Sequence, residues 1–198
     1  LQWSHYIKIS EHLCDLSLLQ SDHLLYLRAE PNLTLIEAIH QLSVKQQATL
    51  ILNFDFWSKL NAQTQLNIAA VHLKNSQLQA LYQAKLERSQ SKIRTDQNLL
   101  IQNQQSVLHL PQGIACIAAC HDAQSLHWAS QLGCEAVLLS PVLDTESHPD
   151  RQGMGWEKFQ DLAKMSHMPV FALGGLKPDD LTIAQQRGAY GVAGIRNF

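Results

Sequence analysis

The amino-acid sequence predicts an α/β chain closed into a compact (β/α)8 TIM barrel. Three observations lead there. Short apolar runs recur eight times along the 198 residues. Several are continuous rather than alternating, as in parallel strands buried on both faces. The stretches between them carry helical spacing and end-capping residues, giving a strand–loop–helix repeat. An open doubly wound sheet, built from the same units, is the competing architecture. The chain sits at the short limit for a barrel, read as one domain over residues 1–198.

In chain order, the expected strands are Tyr6–Ile9, His23–Leu27, Thr49–Asn53, Ala69–Leu73, Ile114–Ala118, Ala136–Leu139, Val170–Leu173 and Gly191–Ile195. The first is the weakest. A helix is expected over Leu35–Lys45, with apolar residues at 35, 36, 39 and 42. Thr34 would be its N-cap, and Glu37 would complete a capping box. Ala123–Leu132 follows Asp122, a good N-cap, and stops at Gly133, a good C-terminal glycine. Trp156–Met165 and Leu181–Arg187 repeat the scheme. One stretch breaks it: Leu78–Leu110 is long, polar and rich in Gln, Asn and Ser. It reads as a solvated insertion at about 78–110, part helix and part loop, with a lid as the alternative.

Hydrophobic residues make up 45% of the chain and charged ones 16%, with a formal net charge of −2. That gives no basic footprint for nucleic acid. No apolar run approaches the ~20 residues of a membrane span, and no signal peptide is evident. Cys14, Cys116, Cys120 and Cys134 have no disulfide-framework spacing and read as reduced thiols of a cytoplasmic protein. The chain begins at Leu1 rather than Met, which suits the C-terminal part of a longer protein.

Four segments carry candidate chemistry. In "PVFALGG" a strand ends on Gly174 and Gly175, and the last strand, "GVAGIR", brings Gly194 and Arg196. Backbone N–H groups at a helix start attract anions, and glycine lets an anion approach them. Together these four would make a phosphate cradle; tight turns and close packing are the alternative. In "LLSPVLDTESHPD" the strand runs into Thr145, Ser147 and His148, suited to a polar ligand or merely to a turn. In "ACHDA", His121 stands at a strand end, where a barrel places its active site, and can act as general acid or base. Cys116 and Cys120 would lie roughly 13 Å apart in a strand, too far to share a zinc ion with His121. In "YLRAE", Arg28 can bind an anion or form a surface ion pair.

The ordered set "YLRAE", "LILNFD", "AVHL", "ACHDA", "LLSPVLDTESHP", "GWEKF", "PVFALGG" and "GVAGIR" resembles the thiamine-phosphate synthase family and its TenI-type thiazole tautomerase relatives. The resemblance runs from about His23 to Phe198 and is strongest from Cys116 onward. It is most similar to the synthase-like C-terminal domain of Nudix hydrolase fusion proteins, although no Nudix signature occurs in these residues. The family's (β/α)8 barrel agrees with the strand count.

The resemblance implies a phosphate held by Gly174 or Gly175 and by the strand-eight backbone at Ile195 and Arg196. It places the thiazole-phosphate loop on Thr145, Ser147 and His148. Of the synthase patterns on strands two and three, Arg28 and Asn53 survive, but Glu30 replaces a lysine, and with Phe54 and Asp55 after Asn53 the metal-binding acid is lost or shifted by one place. Ser76 and Gln77 stand for an acidic pair, and Ala119 for a serine. The synthase's Mg²⁺ and pyrophosphate ligands are thereby lost, so no cofactor is expected. A tautomerase needs only a phosphate site and a proton carrier, which the resemblance assigns to His121.

The expected function is binding of a phosphorylated thiazole or similar small phosphate ester, with thiazole tautomerase-like proton transfer or synthase-like transferase chemistry if active. The alternative is a non-catalytic ligand-binding or structural domain linked to a Nudix hydrolase acting on oxidised nucleotides. The expected partners are a small phosphorylated ligand and a covalently linked Nudix domain, with no nucleic acid and no membrane. Homo-oligomerisation is left open.

Overall fold

A computed structural model of the chain describes residues 3–94, 113–145, 152–195 and 198. Its eight strands are β1 (Tyr6–Ser10), β2 (His23–Leu27), β3 (Leu50–Asn53), β4 (Ala70–Leu73), β5 (Ala115–Cys120), β6 (Ala136–Leu139), β7 (Val170–Leu173) and β8 (Gly191–Gly194). Each pairs in parallel with the next, and β8 returns to β1, so the sheet is a closed barrel in sequence order. The open sheet is excluded. All eight expected strands are present, three of them to the residue and the others with one or both ends shifted by a residue or two.

Closure decides which residues meet. Side chains alternate between the two faces of a strand. Ile7, Tyr26, Ile51, Ile117, Leu138 and Phe171 gather in the interior cluster. Their neighbours turn outward, where Leu25, Leu27, Leu50 and Leu52 form one outer cluster and Cys116, Val137, Leu139 and Val192 another. The strands are therefore apolar on both faces, which explains the unbroken runs in the sequence. Trp3, edge-on to Phe171 at 5.8 Å, joins the interior cluster just before β1.

The helices fill the outer layer: α1 (Leu33–Gln41), α2 (Val44–Gln47), α3 (Phe54–Trp57), α4 (Ala62–Asn67), α5 (Asn75–Arg94), α6 (Ala123–Leu132), α7 (Gly155–Lys164) and α8 (Leu181–Gln186). Two 3-10 segments, Leu13–Leu18 and Pro178–Asp180, precede β2 and α8. α6 is as expected: Asp122 accepts from Ser125 N–H, and Gly133 ends it at φ 78°.

Two expectations are corrected. The helix expected over Leu35–Lys45 is two helices. Asn32, not Thr34, caps the first through Leu35 N–H. Leu42 then turns extended, and Ser43 with Gln46 forms the capping box of the second. The helical part expected from Leu78 is present, but it is packed rather than wholly solvated. It lies in α5, which buries Leu78 and Leu81 in the same outer cluster as Leu126 and Trp128 of α6. The rest of the stretch, 95–112, lies outside the described residues. Among the described residues no helix is long and apolar enough to cross a membrane.

Phe171 is fully buried inside the ring, whereas Leu66 on α4 is 64% exposed. Phe171→Ala is expected to cost about 3–5 kcal/mol in urea unfolding, and Leu66→Ala no more than about 0.5 kcal/mol.

Candidate functional site

The candidate residues lie at the C-terminal ends of the strands, the end at which barrels place their chemistry. In six of the strands the residue two places beyond the last interior side chain stands at the C-terminal end. This rule carries Tyr26 to Arg28, Ile51 to Asn53, His72 to Lys74, Ala119 to His121, Leu138 to Ser140 and Ala193 to Ile195.

On the β5–β7 side, His121 Nδ1 lies 2.8 Å from the Ser140 carbonyl oxygen. A carbonyl only accepts, so Nδ1 carries the hydrogen and Nε2 is the basic nitrogen of the neutral ring. The His121 backbone N–H donates to Ser125 Oγ at 2.9 Å, which ties the residue to the capping box of α6. The imidazole is thus fixed in place yet exposed. Cys116 and Cys120 face the outer layer instead. Burial pushes both thiols up to about 12, with the nearby acids Glu135 and Asp122 adding to the effect. They stay protonated, which makes them poor nucleophiles or ligands.

After β6 the chain folds over the end of β7. Val142 N–H donates to the Leu173 carbonyl and Leu143 N–H to the Gly174 carbonyl. Gly174 and Gly175 have φ of 107° and 69°. A Cβ at Gly174 would lie 2.8 Å from Pro141 Cα, and one at Gly175 would lie 2.7 Å from the Asp144 carbonyl oxygen. The absence of side chains is therefore required by this loop, whatever else approaches. Asp144 accepts from Gly153 N–H at 2.7 Å, closing the base of the segment that begins with Thr145. Gly175 and Thr145 are in this way brought to one place. Gly194 turns outward, where a Cβ would run into the Phe198 ring. Ile195 is 43% exposed at the mouth. Ser147, His148 and Arg196 lie outside the described residues.

The β1–β4 side is different. Arg28 donates to Glu11 at 3.1 Å, an exposed pair. Asn53 is buried and bonded at both amide atoms: Oδ1 accepts from Phe56 N–H at 2.8 Å and Nδ2 donates to the Ala29 carbonyl at 3.0 Å. It caps α3 and braces the end of β2. Lys74, which the sequence reading missed, places its ammonium 3.3 Å from Asp55 and 3.9 Å from Glu30. Gln77 Nε2 donates to the other Asp55 oxygen at 3.0 Å. The one available signal for Lys74 was its place two residues after His72.

Below this arc, Tyr26 OH and His72 Nδ1 meet at 2.9 Å inside the barrel. Burial, helped by the nearby Lys74 charge, lowers the His72 pKa to about 3. Burial also pushes the Tyr26 hydroxyl up. The pair is neutral across the physiological range and acts as a polar cross-brace.

Comparison with known proteins adds the following. The TMP-TENI family, described as thiamine monophosphate synthase, matches residues 104–198. A putative thiamine-phosphate synthase 2 of Aquifex aeolicus is 35% identical over 78 residues, 39% of this chain and 42% of that protein. A thiamine-phosphate synthase of Pediococcus pentosaceus is 32% identical over 97 residues, 48% of this chain and 45% of that one. The matches thus span less than half the length of these relatives. Among solved structures, a thiamine phosphate pyrophosphorylase from Pyrococcus furiosus superposes with a TM-score of 0.60 at 15% identity, covering 96% of this chain and 84% of that one. FabK from Thermotoga maritima gives 0.59 at 14%, covering 98% and 59%. At such identities the likeness is one of fold, which these differently named proteins share. The C-terminal part of the chain is therefore similar in sequence to thiamine-phosphate synthases, and the whole chain shares the barrel fold of these structures.

A Mg²⁺ ion, implied by the resemblance, does not fit the β2–β4 residues as they stand. The Lys74 ammonium lies beside both carboxylates, and Gln77 holds the second Asp55 oxygen.

Two outcomes test these assignments. Gly174→Ala is expected to lose at least about 2 kcal/mol in urea unfolding, from backbone strain and the clash with Pro141. Gly133→Ala, also at positive φ but with nothing within 4 Å, should lose only about 1 kcal/mol. For His72, the unfolded chain takes up a proton near pH 6.5 that the folded chain refuses until about pH 3. Its contribution to stability is present above pH 6.5 and falls by about 1.4 kcal/mol per pH unit below it. His72→Gln should flatten the fall in unfolding free energy between those pH values by that amount.

Proposed function

We propose that this barrel binds a small phosphate ester, such as a phosphorylated thiazole, on its β5–β8 side and moves a proton on it with His121. The observation that carries the reading is the His121–Ser140 contact at 2.8 Å. A general base must present an unprotonated nitrogen in a fixed direction, and the carbonyl supplies that by holding the proton on Nδ1. The family match over residues 104–198 supports the ligand class, since that segment contains β5 to β8. The phosphate end of the site would be the mouth around Gly175, Thr145 and Ile195; the resemblance adds Ser147, His148 and Arg196, which lie outside the described residues. The reading uses no metal ion and assigns Asn53 a structural part.

A non-catalytic ligand-binding role is the second reading, and the charge pairing favours it. Arg28 and Lys74 already hold Glu11, Asp55 and Glu30. The resemblance sets such a role beside a Nudix domain.

Proton exchange separates the two. In deuterated buffer, the native chain is expected to exchange the acidic ring position of a thiazole carboxylate phosphate, followed by NMR. His121→Ala should lower that rate by about 100-fold or more, with calorimetric binding of the same ligand kept within about twofold. Equal exchange by His121→Ala defeats the assignment. Binding with no exchange in the native chain favours the second reading.

A further inference from the structure

We propose that Lys74 is a built-in stand-in for a divalent cation at the β2–β4 side of the mouth. Its ammonium lies beside both Asp55 and Glu30, offsets part of their charge and keeps a metal ion away from them. The inference is independent of the ligand named above, because it concerns these three side chains alone.

Its geometry comes from the barrel. Glu30 follows β2, Asp55 lies in the first turn of α3 after β3, and Lys74 directly follows β4. Three adjacent strand ends thus deliver two carboxylates and one ammonium to one spot, at 3.3 and 3.9 Å. Carboxylate oxygens from separate strand ends are what a hard divalent ion takes. An ammonium is a compact charge with three donors, so it can serve both acids at once.

Folding does not explain the arrangement. The side chains are 46%, 48% and 84% exposed for Lys74, Asp55 and Glu30, and exposed ion pairs stabilise little. Yet the cluster is held from behind. Gln77 Oε1 accepts from Lys74 N–H at 3.0 Å while its Nε2 donates to Asp55. One side chain thereby ties the backbone of Lys74 to the carboxylate its ammonium meets. Arg28, the neighbouring strand-end cation, is turned to Glu11 and does not share the task. A divalent ion entering here would face a positive charge at contact distance, whereas removal of that charge would leave two carboxylates open to it.

The test reads Mn²⁺ binding from the free-ion electron paramagnetic resonance signal, with no organic ligand present. The native chain and Lys74→Arg are expected to leave Mn²⁺ free into the millimolar range. Lys74→Met should bind it at least about tenfold more tightly than the native chain. Adding Asp55→Asn to Lys74→Met should abolish the gain. Melting curves confirm that each variant is folded, and Lys74→Gln replaces Lys74→Met should the latter not fold. The proposal is overturned if the native chain binds Mn²⁺ and Asp55→Asn releases it. It is equally overturned if neither Lys74→Met nor Lys74→Gln binds better than the native chain.

Discussion

Val192 and Ala193 of β8 lie beside Tyr6 and Ile7 of β1, and this parallel pairing closes the ring on which the other contacts depend. A closed sheet has no free edge, so the strands can be very short. Five of the eight have only four residues. Closure also fixes the inward or outward sense of each side chain, because a slip of one residue would send the interior set to the helical layer. The mouth is set by the same rule. Arg28, Asn53, Lys74, His121 and Ser140 are neighbours only because each stands two places beyond an interior residue of its strand.

The double glycine after β7 shows how that constraint reaches the loops. Its local sequence suggests a turn or an anion cradle, and both are backbone arguments. The structure adds a third demand from elsewhere in the chain. Pro141 to Asp144 lie so close over the end of β7 that a methyl group at Gly174 or Gly175 would overlap them. The loop is held there by Leu173 and Gly174 carbonyls. An anion at Gly175 would therefore approach a turn already shaped by packing, without needing to order it first.

What could be read from the sequence followed from how local its cause was. β2, β6 and β7 matched residue for residue because burial on both faces leaves an unbroken apolar run. α6 matched because Asp122 and Gly133 mark its ends in the sequence itself. α3 and α4 were not foreseen; at four and six residues they are too short for helical periodicity, and only the caps Asn53 and Asn61 betray them. The break between α1 and α2 was written in Ser43 and Gln46, but the apolar spacing running up to Leu42 gave no sign of it. β5 continues to Cys120 because Ala119 and Cys120 pair with Leu138 and Leu139, a tertiary cause. Of the site, His121 was legible as a strand-end histidine. Its carbonyl partner was not, and neither was the grouping of Lys74 with Asp55 and Glu30, because those contacts join separate strands.

The two sides of the mouth have different electrostatics, and this bears on the chemistry they can support. Stabilising a departing polyanion requires positive groups aimed at it and free of other duties. Among the described residues, Arg28 and Lys74 at the mouth each hold a carboxylate already. Breaking such exposed pairs costs only about 0–1 kcal/mol, so the cations could be recruited. The acids would nevertheless stay beside them, and Glu11, Glu30 and Asp55 would then repel the incoming charge. A ligand carrying one phosphate, set toward β7 and β8, avoids that repulsion. Its reactive ring would turn to His121, whose tautomer is already fixed. On the proposed reading, the charge pairing at β2–β4 would suit a singly phosphorylated ligand better than a departing pyrophosphate.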